Sequence, residues 1–127
     1  MENKTNPLVS IIIPHHNNYS IIEECIKSIK NIQYDNIEII VVDNASSDNS
    51  IINIKNKFPD IIVQQSNKNL GYAGGCNLGA RTAIGKYLLF LNNDTIHESN
   101  CLDLLVKTLS NNANIACVQP KIRNYNQ

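Results

Sequence analysis

The chain carries no net charge, no CxxC pair, no apolar run of membrane-spanning length, no glycine outside residues 71–85 and no carboxylate after Asp103. Each absence removes a class of protein. Eleven basic and eleven acidic side chains balance, so neither nucleic acid nor an anionic membrane surface is the main partner, since both select a basic patch. Lys121 and Arg123 are too few to make a binding tail. Every apolar run falls well short of the ~20 residues a membrane span needs. No signal-peptide core precedes the first strand, and the chain reads as cytoplasmic. Cys25, Cys76, Cys101 and Cys117 stand too far apart for a thiolate metal site, and a disulfide framework is not expected without a secretory signal. Cys25 and Cys101 fall on apolar positions of predicted helices, which makes them buried thiols. Gly71-x-x-Gly74-Gly75 is not the GxGxxG fingerprint, and no Gly-Lys-Ser/Thr follows it, so an NAD-type or P-loop binding protein is set aside.

What remains is a strict alternation of strand and helix signals. At 127 residues the chain makes one domain, with residues 1–7 and 121–127 frayed. Leu8-Val9-Ser10-Ile11-Ile12-Ile13 is a β-branched run halted by Pro14. Ser20 and Glu23 form a capping box ahead of an apolar stripe of Ile22, Cys25, Ile26 and Ile29 at helical spacing. Residues 37–42 form a second strand, and a second helix starts near Ser47, carries Ile51, Ile54 and Phe58 and stops at Pro59. A third strand covers 61–64, and a fourth covers the run from Tyr87 to Leu91. Thr95 and Glu98 make a second capping box before the stripe Leu102, Leu105, Val106 and Leu109, and a short strand follows at 115–118. The pattern is α/β: a mostly parallel, Rossmann-like sheet flanked by helices on both faces.

Three strand ends carry polar residues: His15-His16-Asn17, Asp43-Asn44 and Asn92-Asn93-Asp94. In a parallel sheet these ends share one edge, which is where open α/β sheets bind ligands. Alone, Asn93-Asp94-Thr95 is as good a turn as a site. The glycines raise a second question. Four of them fall at the start of, or within, a helical segment, where each interior glycine costs about 1 kcal/mol against alanine. Two readings stand level: a backbone approached closely by a ligand, phosphate above all, or tight helix–sheet packing.

Four segments, taken in order, resemble family 2 glycosyltransferases of the GT-A fold, closest to the rhamnosyltransferase-like branch. They are Val9–Pro14, Val41-Val42-Asp43-Asn44-Ala45-Ser46-Ser47-Asp48-Asn49-Ser50, Asn69–Gly79 and Leu89-Phe90-Leu91-Asn92-Asn93-Asp94-Thr95. The resemblance implies that Pro14, His15 and Asn17 border the base of a nucleotide-diphosphate sugar. It implies that Asp43 accepts a hydrogen bond from uracil or thymine. Asn69 to Asn77 would line the nucleoside and diphosphate, with Gly71 and Asn77 the most typical members. Asn92-Asn93-Asp94 stands where the family has its DxD motif, so that Asp94 would hold Mg²⁺ or Mn²⁺, with Asn92 near the ribose and Asn93 a supporting polar group of the nucleotide-sugar site. One carboxylate suffices for a cation that the nucleotide already chelates.

The chain departs from that pattern in three places. His15-His16 replaces the family's usual pair, and Cys76 stands where relatives carry Arg or Asn. No carboxylate follows Asp103 to serve as the general base of an inverting transfer. The expectation is therefore a donor-binding half lacking its acceptor-binding half, incomplete for catalysis, with uncovered apolar sheet surface through which copies self-associate. The alternative is a non-catalytic nucleotide-binding or interaction module of the same fold.

Overall fold

In the computed structural model, which describes residues 5–125, the four expected strands form and run parallel. They are β1 (Val9–His15), β2 (Ile37–Asn44), β3 (Ile62–Ser66) and β4 (Tyr87–Phe90). Their order across the sheet is β3-β2-β1-β4. β1 is central and buried along its whole length, with Ile11 opposite Ile39 and Leu89, and Ile12 opposite Ile40 and Phe90. The connecting helices are α1 (Tyr19–Lys30), α2 (Ser50–Lys57), α3 (Gly71–Thr82) and α4 (Cys101–Asn111).

Strand alternation divides the core in two. Val9, Ile11, Ile13, Ile39 and Val41 face α1, α2 and α4, meeting Ile22, Cys25, Ile26 and Ile29, then Ile51 and Ile54, then Leu102 and Val106. Ile12, Ile40 and Val42 face the other way, against Leu78 and Ala80 of α3 and the following Ala83. Topology dictates this split. The chain steps outward from β1 to β2 to β3 on one side, then crosses back through α3 to place β4 on the far side of β1. Right-handed crossovers in opposite directions put their helices on opposite faces. The reversal makes the gap between β1 and β4 the switch point of the sheet.

The α3 face is covered only in part. Leu88 and Phe90 share a side with Ser10 and Ile12, yet stay 44% and 43% exposed, and Ile84 beside them is 78% exposed. Among the described residues no helix is long and apolar enough to cross a membrane.

Several local expectations are corrected. Pro14 does not halt β1, which runs on to His15. β4 pairs no further than Ile12, so the missing Pro14 N–H costs no ladder bond on that side. Neither capping box forms. Ser20 Oγ donates to Asn18 Oδ1, while the Glu23 carboxylate takes the ammonium groups of Lys27 and Lys57 and the Tyr19 hydroxyl. Cations outcompete a backbone amide for an ionised carboxylate. Thr95 Oγ1 donates to Asn92 O and contacts His97, and α4 begins only at Cys101. The second helix starts at Ser50 rather than near Ser47, because the Ser47 and Asp48 amides are already held by the Asn17 side chain. Residues 115–118 form no strand: with no ladder beside them, a four-residue run has no pairing to hold it. Cys25 is buried as expected, whereas Cys101 is only half-buried. Residues 6 and 7 are tied down, Pro7 O by the Tyr34 hydroxyl and Asn6 O by Asn36 Nδ2. The fraying expected of 1–4 and 126–127 lies outside the described residues.

Candidate functional site

The loops after β1, β2 and β4 meet at the carboxyl edge of the sheet, and side chains bind them to one another. Asn17, in the left-handed region at φ 58°, is the centre of the β1–β2 pair. Its Oδ1 accepts from Ser47 N at 2.8 Å and from Asp48 N at 3.3 Å, and its own amide donates to Ser46 Oγ at 2.9 Å. The next amide, Asn18 N, donates to Asp48 Oδ2 at 2.7 Å. Asn tolerates positive φ far better than other side chains, which explains its place here. Asn17→Ala is expected to cost about 0.5–1.5 kcal/mol, the net value of a hydrogen bond where water can reach the exposed Ser47 and Asp48 amides. Urea denaturation of the variant against the unaltered chain measures it.

Asp43, the penultimate residue of β2, is almost fully buried. Its Oδ1 accepts from Ser46 N at 2.9 Å and its Oδ2 from Gln65 Nε2 at 3.3 Å. A carboxylate has about four acceptor positions, so two remain. Asn44, the next residue, points to the opposite face. Its Nδ2 donates to Gly71 O at 3.1 Å and its Oδ1 accepts from Leu70 N at 3.4 Å, which locks the start of α3 against β2. Sequence reasoning missed Asn44, Ser46 and Asp48 as a binding frame. The available signal was two consecutive polar residues closing an apolar strand, which must face opposite sides.

The glycine question resolves toward packing where it matters most. A Cβ on Gly79 would lie 2.5 Å from Ile12 Cγ2 and 2.9 Å from Val42 Cγ2, and one on Gly75 would lie 3.0 Å from both Pro14 Cβ and Asn44 Nδ2. α3 therefore lies on the sheet at a distance only glycine permits. Gly71 differs: φ is +70° and nothing crowds it, so it serves the turn into α3, where Asn69 Oδ1 accepts its amide at 2.9 Å. Asn77 is exposed on α3 and makes no side-chain hydrogen bond among the described residues.

At the switch point, His15 and the loop after β4 face each other. His15 is 1% exposed, and Asn93 Nδ2 donates to its Nδ1 at 3.1 Å. Its Nε2 has no partner. His16 is the exposed ring of the pair, with Nδ1 2.8 Å from Asn44 O. Asn92 is exposed, and its carbonyl accepts from Thr95 Oγ1 at 2.8 Å and from the Cys25 thiol at 3.8 Å. Asp94 is exposed, and its carboxylate meets neither a donor nor a cation among the described residues. Among the described residues, no group of three or more His, Cys, Asp or Glu side chains is gathered to hold a metal by itself. Such a donor set suits a cation that arrives with phosphate oxygens, and does not suit a preformed protein cage.

Burial holds His15 and His97 below the ordinary histidine pKa, with the Asp48 and Asp43 carboxylates opposing the shift at His15. The folded chain thus binds fewer protons than the unfolded chain below about pH 6.5. Stability should be full above that pH and fall as the pH drops toward the folded-state values. Thermal midpoints at pH 7.5 and 5.5 are expected to differ in that sense, and His97→Gln should reduce the difference.

A parallel sheet with its strand ends converging on a switch point is the frame of a nucleotide-binding α/β domain. The chain belongs to glycosyl transferase family 2, whose sequence pattern it matches over residues 10–127. It is 34% identical over 115 residues to an uncharacterized glycosyltransferase of Haemophilus influenzae, covering 88% of this chain and 36% of that protein. It is 33% identical over 106 residues to the glycosyltransferase GlyG of Streptococcus pneumoniae, covering 77% and 34% respectively. The mannosyltransferase PcManGT of Pyrobaculum calidifontis, solved with GDP-Man and Mn²⁺, superposes with a TM-score of 0.74 at 26% identity over 84% of this chain and 33% of that one. TarS 1–349 of S. aureus, solved with UDP, gives 0.70 at 25% identity over 81% and 32%. The fold is that of the GT-A glycosyltransferases. The chain spans about a third of the length of these relatives.

Proposed function

We propose that this chain is the donor-binding part of an inverting glycosyltransferase, holding a UDP- or dTDP-sugar together with Mg²⁺ or Mn²⁺. The observation that carries the reading is the placement of Asp43 and of Asp94, a carboxylate with no partner among the described residues, at the carboxyl edge of the sheet on either side of β1. Support comes from the relatives: PcManGT was solved with GDP-Man and Mn²⁺, and TarS with UDP.

In this reading each residue has a chemical task. Asp43 keeps two acceptor positions for the ring N–H of uracil or thymine. The β1–β2 loop knot, with Pro14 beneath and Asn17 within it, borders the base, and the exposed His16 ring is the aromatic face on offer there. Asn69, Gly71 and Asn77 line the path of the nucleoside and diphosphate along the start of α3. Asn92 supplies an amide toward the ribose, Asn93 supports the loop through its amide on His15, and Asp94 holds the cation. A divalent cation on the diphosphate supplies Lewis-acid stabilisation of the charge that develops on the leaving group. Transfer also needs a base for the acceptor hydroxyl, and no residue of this chain is assigned that role.

Calorimetry with UDP and dTDP, each with Mn²⁺ and with EDTA, tests the proposal. Binding of either nucleotide that tightens with Mn²⁺ is the expected result. Equal binding with and without metal, or none at all, overturns it.

A further inference from the structure

Along β1, the residues that face α1, α2 and α4 are Val9, Ile11 and Ile13, and then His15. A histidine closes a row of branched aliphatics, and it is as buried as they are, at 1% exposure. Its Nε2 is the one buried side-chain nitrogen or oxygen without a partner among the described residues. A buried polar atom left unsatisfied costs stability, and an aliphatic side chain would end the row without that cost. The ring's one hydrogen bond to a side chain runs across the gap between β1 and β4, from Asn93 Nδ2 to Nδ1. That gap is where the strand order reverses. Asn93 immediately precedes Asp94, whose own side chain nothing in the described residues restrains. The rest of the loop is held through main-chain and hydroxyl contacts at Asn92 and Thr95. On the far side of Asp94, Thr95 is held by His97 and Cys25; on the near side, among the described residues, His15 supplies the one side-chain restraint on Asn93.

We propose that His15 is a positioning residue, which grips Asn93 from beneath and thereby fixes the direction in which the loop presents Asp94. This rests on the reading of Asp94 as the residue that holds the cation. His15 itself is too buried to touch the ligand, and it acts at one remove: the acceptor at Nδ1 orders the amide, and the amide orders the turn. Positional precision of this kind is what a second layer of hydrogen bonds provides around a metal ligand.

Two substitutions separate positioning from packing. His15→Leu extends the aliphatic row and removes the acceptor. His15→Asn leaves a cavity but places a carbonyl oxygen near where Nδ1 stands. The measured quantity is the ratio of UDP affinity with Mn²⁺ to that with EDTA, read beside the urea midpoint of each variant. His15→Leu is expected to be the more stable of the two and to lose roughly tenfold of the metal-dependent tightening, equal to about 1.4 kcal/mol. His15→Asn is expected to be less stable and to keep most of the tightening. A packing role would make binding follow stability, which is the reverse order. Asn93→Ala reaches the same link from the other side, should His15→Leu fail to fold. Where both fold, the double variant should lose no more than His15→Leu alone, because the two residues act through one contact. Full metal-dependent tightening in His15→Leu, or fully additive losses in the double variant, overturns the positioning role. If the unaltered chain itself shows no effect of Mn²⁺, the assignment of Asp94 falls, and His15 with it.

Discussion

Asp94→Ala is expected to bind UDP in the presence of Mn²⁺ no more tightly than the unaltered chain binds it in EDTA, while folding as stably as before. The two halves of that result have separate causes. The Asp94 carboxylate is exposed and engages no donor or cation among the described residues, so its removal deletes no contact that holds the fold, and surface changes of this kind stay within about 0.5 kcal/mol. Its removal does delete the one formal negative charge in Asn92-Asn93-Asp94. The two asparagines keep neutral oxygens, which leave a divalent cation to the phosphates alone. A loss of about tenfold or more in the metal-dependent component, 1.4 kcal/mol or above, is therefore expected. Asn92→Ala should cost less, because its carbonyl, which accepts from Thr95 and Cys25, is main chain and survives the change. Calorimetric titration of UDP into each variant, with Mn²⁺ and with EDTA, measures the difference. Tight metal-dependent binding by Asp94→Ala would remove the cation from this loop.

How far this could be seen without coordinates follows from the range of the interactions involved. The central strands were legible because a β-branched run buried on both faces is a local signal, and β4 because its short apolar run ends abruptly in polar residues; the polar ends follow once the sheet is parallel. The stripes of α1 and α4 were legible for the same reason, since Ile22, Cys25, Ile26, Ile29, Leu102 and Val106 repeat at helical spacing and all are buried. What failed depended on partners far away in sequence. Glu23 sits three residues after Ser20, as a capping box requires, yet Lys57 takes its carboxylate from 34 positions away. Thr95 and Glu98 carry the same local pattern, and the contacts of Thr95 to Cys25 and His97 override it. α2 starts late because Asn17, 30 residues back, already holds the Ser47 amide. Within the candidate site, Asp43, Asn92, Asn93 and Asp94 were placed on one edge by topology alone. The burial of His15 beneath Asn93 was not legible, because a histidine in a loop pair carries no mark of which ring turns inward.

The largest expected loss of stability belongs to Gly79→Val. In sequence this glycine was open to two readings, a backbone left bare for a ligand or a helix drawn close to a sheet. The geometry favours the second: a Cβ there would stand 2.5 Å from Ile12 Cγ2 and 2.9 Å from Val42 Cγ2. Neither neighbour has room to give way, since Ile12 and Val42 are fully buried in the central strands β1 and β2 and pack against Leu78, Ala80 and Ala83. Alanine at this position would recover about 1 kcal/mol of helix propensity against the strain. Valine recovers less and adds two methyl groups to a layer already at contact distance. Overpacking of this kind costs about 1–3 kcal/mol and occasionally more, and the fixed strands on either side put Gly79→Val at the upper end, near 3 kcal/mol. A domain of this size has roughly 5–15 kcal/mol to lose, so the variant should still fold, with a urea midpoint clearly lowered and a slope unchanged. UDP affinity measured well below that midpoint should change little. An unaltered midpoint with nucleotide binding abolished would reverse the assignment, and would return Gly79 to the ligand.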